Sequence, residues 1–327
     1  MAFNTTRNTS LLTTYLIRKF IPALEDELQF QKFTTKATVP QGLGNVARWN
    51  TFSSALAQTT ALTEGTATGN EITTMTTLGT NATLAEYGEF IATTRLQEFC
   101  QVPSSRSELV DRMAYGASRT IDTLVRNVAD ATTSDWYCGD GVEGGANTIA
   151  GVSATYGGGP NMSAAAVIGA AAELRGNSVR GITGVSGHPD RHFAAIVSTT
   201  AERDMVQEST AGRMTWAEAV TQVPGVLAQT KWVNGFMGSV YGTACYRSQN
   251  LSTAVITATM DENYIIGEGA LGSVSIVDAD PQIYINTSSA GDIGNPYRNS
   301  NTIAWHIFFA TSLIDSTRVI KVYSGTT

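Results

Sequence analysis

The stretch from Thr51 to Thr83 constrains this chain more than any other. It holds a dozen threonines, and its only charged residues are Glu64 and Glu71. Threonine is branched at Cβ, so it favours extended backbone. Gly65, Gly69, Asn70 and Gly79 supply turns between extended pieces. The stretch therefore reads as a long two-stranded ribbon with little apolar surface. Such a ribbon is marginal in water unless it lies on another surface. A structureless loop of that length would be out of place in a compact domain. The chain must therefore supply the ribbon with a surface, or borrow one.

The remainder has the means to build a core. Of 327 residues, 42% are hydrophobic and 15% charged, and the length predicts about two domains. The surface must be coated with something other than charge, and 45 threonines do much of it. A net charge of -7 on so apolar a chain disfavours disorder. The most apolar run, Ile303 to Ile314, holds His306 and is too short to span a membrane. No signal-peptide pattern is expected at Met1 to Ser10, which is polar. Cys100, Cys138 and Cys245 are odd in number and lack CxxC spacing. They read as packing residues of a reducing compartment, with neither a disulfide scaffold nor a zinc site. The pI near 5.0 excludes nucleic-acid binding by overall charge but leaves room for a local basic face.

Along the chain, Leu11, Leu12, Tyr15, Leu16 and Phe20 recur at helical spacing, predicting helix over Ser10 to Phe33 with a break at Pro22. This segment has too few apolar residues for its own core and reads as an arm that packs on something else. Ser105-Arg106-Ser107-Glu108 has capping-box spacing. After it, Val110, Met113, Ala114, Ala117, Ile121, Leu124, Val125 and Val128 form one apolar stripe. A helix from Arg106 to Ala131 would be about 39 Å long at 1.5 Å per residue. Arg112, Arg119 and Arg126 recur every seven residues on the opposite side. Glu108 and Asp122 each stand four residues ahead of an arginine, the favourable order for helix ion pairs. Two readings stay open: a solvated, self-paired face, or a basic row that tolerates phosphate.

Asp135 to Pro160 is a glycine-rich boundary, and Ser163 to Arg175 an alanine-rich helix. Short strands are predicted at Phe193 to Val197, Val233 to Cys245, Ala254 to Ala258, Ile265 to Val277, Gln282 to Ile285, Ile303 to Ile314 and Arg318 to Tyr323. Ala201 to Glu208 and Thr215 to Val220 read as short helices. Neither the alternation of a doubly wound sheet nor a repeat of solenoid length appears, so the class is α+β with a mixed or antiparallel sheet.

Catalytic motifs are scarce. In His188-Pro189-Asp190-Arg191-His192 the proline biases His188 to extended backbone, which spoils a helical histidine pair. The run reads as a turn with Asp190 as a cap. It also contains the His-Pro-Asp tripeptide of J-domain co-chaperones, but lacks their flanking charged helices. There is no Gly-x-Ser-x-Gly elbow and no GxxxxGK[ST] loop. No enzyme, catalytic residue, metal or cofactor is predicted. A hydrolase using His188 or His192 is the weakest alternative. What remains is an arm without a core, a ribbon without a support and one very long helix. Together they describe a subunit completed by its neighbours, through strand addition and arm exchange.

Several phrases resemble the major capsid proteins of tailed double-stranded DNA phages, most of all the group named after the coliphage N-four capsid protein. They are Leu16-Ile17-Arg18-Lys19-Phe20-Ile21-Pro22, Leu62-Thr63-Glu64-Gly65, Tyr87-Gly88-Glu89-Phe90, Gly187-His188-Pro189-Asp190, Val233-Asn234-Gly235, Ile266-Gly267-Glu268-Gly269-Ala270 and Ile303-Ala304-Trp305-His306. They run in family order over nearly the whole chain. The resemblance implies the Johnson fold of Hong Kong ninety-seven-type shells. Residues 1–44 would be the N-terminal arm and 45–95 the extended loop with its flanking strands. Residues 96–150 would form the peripheral domain with its spine helix, 151–300 mostly the axial domain, and 301–327 the C-terminal strands of the peripheral domain. The family's lysine–asparagine crosslink has no donor in the ribbon, because Thr51 to Thr83 contains no lysine.

On this reading the chain is a structural virion protein. It would assemble in the cytoplasm of a bacterial host into pentamers and hexamers of an icosahedral shell around packaged double-stranded DNA. Leu56, Leu62, Glu64, Ile72 and Met75 are the expected inter-subunit contacts, and Arg112, Arg119 and Arg126 the expected DNA-facing row. Partners would be copies of itself, with scaffold, portal and cement proteins, weakly held DNA and no membrane. The competing expectation is another structural subunit of a phage or cell surface, such as a tail tube, adhesin or surface layer.

Overall fold

The computed structural model describes residues 28–40, 42, 44–52, 59, 76–94, 105–138, 161–207, 216, 235–255, 259–276, 282–286 and 300–325. Helix α1, Ser105–Asp130, is the predicted long helix. Its stripe is buried at Val110, Met113, Ala114, Ala117, Ile121, Val125 and Ala129. The strand beneath it, β13 (Ser300–Leu313), alternates so that Ile303, Trp305, Ile307 and Phe309 enter the same core. A period of 3.6 on the helix meets a period of 2 on the strand, and both put their apolar sets on one side.

β13 is the spine of a five-stranded sheet. One of its edges carries β4 (Ala85–Thr94), antiparallel over ten residue pairs from Ser300↔Thr94 to Phe309↔Ala85. Its other edge carries β11 (Leu271–Ile276) and β12 (Gln282–Asn286), both antiparallel. β1 (Thr35–Val39) adds to β11 in parallel. A separate two-stranded ribbon joins β2 (Val46–Phe52) to β3 (Thr77–Thr83).

The second sheet has seven strands, in the order β5 (Asp135–Tyr137), β14 (Val319–Gly325), β10 (Thr259–Ile266), β6 (Phe193–Val197), β8 (Thr243–Arg247) and β7 (Phe236–Val240), with β9 (Thr253–Val255) on the start of β10. β5–β14 and β6–β8 are parallel and the other pairs antiparallel. Alternate residues divide between two cores. Ala194, Ile196, Tyr246, Tyr264 and Ile266 face the core of α1, whereas Phe193, Ala195, Val197, Ile265 and Val322 face α2 (Ala164–Gly176). Both faces are covered, which is why β6 reads Phe-Ala-Ala-Ile-Val without alternation. Ser163 caps α2, its hydroxyl accepting from the Ala166 N–H. A short helix α3, Thr199–Gln207, follows β6.

Several expectations are corrected. The strand expected over Val233 to Cys245 is a hairpin, β7 and β8, turned at Tyr241 and Gly242 with positive φ. The one expected over Ile265 to Val277 is two strands in different sheets. A turn after Ile266, with Gly269 at φ +68°, divides it, and only glycine fits at 267, where a Cβ would lie 2.3 Å from Val179 Cγ1. The predicted arm helix lies mostly outside the described residues, and its end, Phe30–Phe33, is a single 3-10 turn leading into β1. β11 and β12 share a sheet with β4 and β13, and β14 lies in the seven-stranded sheet.

Candidate assembly interface

The ribbon starts against the body and leaves it. On β2 the residues Ala47, Trp49 and Thr51 pair with Ala82, Thr80 and Leu78 on β3, and so share one face. Near the root that face is held. Ala82 is buried with Val39, Val274 and Ala310, and Ala47, Trp49 and Leu84 pack around them. The Trp49 ring lies over Gly272 of β11, where a Cβ would fall 2.6 Å from it. The Ser312 hydroxyl of β13 donates to the Asn81 carbonyl. At the far end the support is gone: Leu78, on the same face, is 62% exposed, and Phe52 on the opposite face is 63% exposed. An apolar ring at the unsupported end of a two-stranded ribbon calls for a partner surface.

The five-stranded sheet also leaves half of one face bare. Ala310 and Ser312 of β13 lie under the ribbon root, on the side away from α1. Further along that side, Phe90 of β4, Ala304 of β13 and Tyr284 of β12 form one cross-strand row. Phe90 is 69% exposed and Tyr284 about half so. Beside the row, His306 Nε2 lies 2.6 Å from Glu86 Oε1, and Phe308 meets the His306 ring edge-on.

The three arginines of α1 have different surroundings. Arg112 is tied to Glu108 at 2.9 Å, the pair predicted from spacing. Arg126 is half-buried and donates to the carbonyl and side-chain oxygens of Asn250. The expected Asp122–Arg126 pair is absent. Asp122 is 2% exposed, and its Oδ1 accepts the N–H of Gln29 at 3.0 Å and of Phe30 at 2.7 Å, while its Oδ2 accepts from Asn250. Burial pushes the Asp122 pKa up, against the pull of these hydrogen bonds. By taking the backbone donors of residues 29 and 30, this carboxylate ties the start of the 3-10 turn to α1. Only Arg119 of the three remains without a hydrogen bond or ion pair among the described residues. It lines a cleft of about 370 Å³ with Gln29, Tyr115, Asp122, Gly235, Arg247, Ser248, Gln249 and Asn250.

Leu56, Leu62, Glu64, Ile72 and Met75 lie outside the described residues. The exposed aromatic and apolar residues Phe52, Leu78, Phe90 and Tyr284 were not anticipated. Their signal was an apolar residue on the polar phase of a strand, visible only once the strands and their registers are known.

His188 and the thiols of Cys138 and Cys245 are buried in the body. The His188 Nε2 donates to the His192 carbonyl at 2.9 Å, so its Nδ1 accepts from the Tyr246 hydroxyl at 2.7 Å. Burial holds this imidazole below the usual histidine range and therefore neutral. Burial pushes the thiols of Cys138 and Cys245 up to about 12, far from thiolate at neutral pH. Among the described residues, no cluster of histidine, cysteine and carboxylate is placed to hold a metal.

Solved structures share this arrangement. The capsid of Ralstonia phage GP4 matches with a TM-score of 0.67 at 11% identity, covering 92% of each chain. The head structure of Helicobacter pylori bacteriophage KHP40 matches at 0.64 and 10% identity, covering 92% of this chain and 91% of that one. The capsid of cyanophage P-SCSP1u matches at 0.58 and 13% identity, covering 93% and 90%. This chain has the phage capsid fold. No protein-family model matches the chain, and no curated protein matches it. At identities this low, the likeness is one of fold and not of residue identity.

Proposed function

We propose that this chain is the major subunit of an icosahedral phage head, a structural virion protein and not an enzyme. Copies of it form the pentamers and hexamers of a closed shell around double-stranded DNA. The observation that carries this reading is the likeness to capsid structures over about nine-tenths of both chains. The half-supported ribbon gives the physical reason: Phe52 and Leu78 are exposed where the ribbon leaves its own body. Contacts of standard size bury roughly 1,200 to 2,000 Å² each, so several modest ones hold a subunit in a lattice. The sequence phrases favour the Hong Kong ninety-seven type and the N-four group within it. In that scheme α1 with the five-stranded sheet corresponds to the peripheral domain, and the seven-stranded sheet with α2 to the axial domain. Scaffold, portal and cement proteins, weak DNA contact and assembly in the host cytoplasm belong to the same proposal. With Arg112 and Arg126 engaged within the subunit, the arginine row offers DNA little beyond Arg119.

Negative-stain microscopy of the expressed chain, with its phage's assembly partners, tests the proposal. Closed shells support it. Monomers under every salt condition, or only open tubes and flat sheets, would overturn it.

A further inference from the structure

We propose that the cleft between α1 and the end of β8 is a binding site for a phosphate ester of nucleotide size. Its two cations come from separate elements, Arg119 from α1 and Arg247 from β8. Arg119 has no hydrogen bond or ion pair among the described residues. The side chain of Arg247 is engaged through Nη1 alone, which lies 3.4 Å from Glu202 Oε2. Asp122 is the one carboxylate lining the cleft among the described residues. Its Oδ1 accepts from the backbone of Gln29 and Phe30 and its Oδ2 from Asn250. Burial also raises its pKa, which weakens its hold on a charge. Two guanidiniums against one occupied carboxylate leave the cleft positive, on a chain whose net charge is -7. An anion is therefore drawn here by local arrangement and not by overall charge.

The walls point to phosphate. Ser248 Oγ accepts the Asn250 N–H at 3.2 Å, which leaves its hydroxyl hydrogen to donate. Gly235 holds φ at +82°, and a Cβ there would lie 2.8 Å from the Arg247 carbonyl, so this wall carries no side chain. A guanidinium meets phosphate or carboxylate through paired hydrogen bonds. Two guanidiniums and a hydroxyl suit the three open oxygens of a phosphate monoester better than the two of a carboxylate. At about 370 Å³ the cleft falls at the small end of ligand sites, roughly 300 to 1,000 Å³, and holds more than a bare ion. Tyr115, about half exposed and one turn before Arg119, supplies an aromatic surface for the attached base. Two sources carry this chemistry, a free nucleotide and an unpaired nucleotide of a nucleic acid. The site is independent of shell formation, so its failure would leave the proposed function standing.

Titration calorimetry of the full chain with deoxyadenosine monophosphate tests it. Deoxyadenosine and glutarate should bind at least about tenfold more weakly, having lost the phosphate. Inorganic phosphate should be weaker by about tenfold, having no base to stack. Arg119→Ala should lose about tenfold or more and Arg247→Ala about threefold, whereas Arg112→Ala, outside the cleft, should bind as the parent does. Tyr115→Ala should bring the monophosphate down to the level of inorganic phosphate. A single-stranded oligonucleotide that displaces the monophosphate assigns the site to nucleic acid, and one that does not assigns it to free nucleotides. The proposal is overturned by no binding up to about 10 mM monophosphate, by unchanged binding in Arg119→Ala, or by deoxyadenosine, glutarate or inorganic phosphate binding as tightly. Should Arg119→Ala fail to fold by circular dichroism, Arg119→Lys keeps the charge and removes the fork. A loss of about threefold or more there supports the site, and unchanged affinity refutes it.

Discussion

The seven-stranded sheet and the ribbon are built from the same kinds of residue and end in opposite states. β6, β10 and β14 are buried almost end to end, with α2 on one face and the core of α1 on the other. β2 alternates between exposed and half-buried along its whole length, and β3 and β4 are mostly exposed. Polar groups differ in the same way. In the sheet, Asn263 is fully buried and gives its amide to Val322 O and Ser324 Oγ while its Oδ1 accepts from Ser198 N. Lys321 is nearly buried and reaches Asp130 at 2.7 Å, tying β14 to the end of α1. Burial alone would lower the Lys321 pKa, but the bond and charge of Asp130 together with Tyr323 outweigh it and raise it. One region has finished its folding inside a single chain. The other holds only its root, and its apolar ends wait for a surface.

That contrast breaks if the wrong region governs the wrong property. The largest effect should follow removal of Leu56 to Met75: shells vanish, while circular dichroism and the urea midpoint stay those of the parent. Loss of fold instead would mean the ribbon belongs to the core. Next comes Ile196→Ala in β6, where the side chain is fully buried. It should cost about 2–5 kcal/mol by urea denaturation, from lost transfer energy and the cavity left behind. Gly272→Ala, beneath Trp49, should cost about 1–3 kcal/mol through overpacking, and shift the tryptophan fluorescence as the ribbon root lifts. A silent result there would show that the root is not packed as described.

The buried thiols sharpen the contrast by pH. Cys138 and Cys245 have pKa values raised by burial from 9.0 to about 12, so the folded state holds their protons more tightly than the unfolded one. Their contribution is whole below pH 9 and is lost as pH climbs toward about 12. The urea midpoint should therefore fall over that window, and a Cys245→Ala variant should fall less steeply. The smallest effect is expected at the ribbon's exposed end. Phe52→Ser and Leu78→Ser should change stability within about 0.5 kcal/mol, yet reduce shell yield.

The long helix was legible because eight apolar residues at a helical period leave no other element that can bury them. Phe193 to Val197 and the capped helix at Ser163 were legible for similar local reasons; of the ribbon expected over Thr51 to Thr83, only the paired ends up to Phe52 and from Thr77 lie within the described residues. The Asp122–Arg126 pair misled because spacing says which side chains can meet, not which will. The backbone of Gln29 and Phe30, some ninety residues away in sequence, was the better partner for a carboxylate being buried. The turn after Ile266 was missed although Gly267 and Gly269 flank it, because the two strands it joins find partners in different sheets far along the chain.

The sequence by itself determined the extended character of the ribbon, the length and apolar side of α1, and the poverty of catalytic groups. These follow from local period, side-chain branching and residue type, which act over a few neighbours. Tertiary structure alone decided which strands share a sheet, where the ribbon parts from its body, and which of three evenly spaced arginines stays uncommitted. Those outcomes depend on contacts between residues far apart in the chain, and no local pattern encodes which of several chemically suitable partners will be brought within reach.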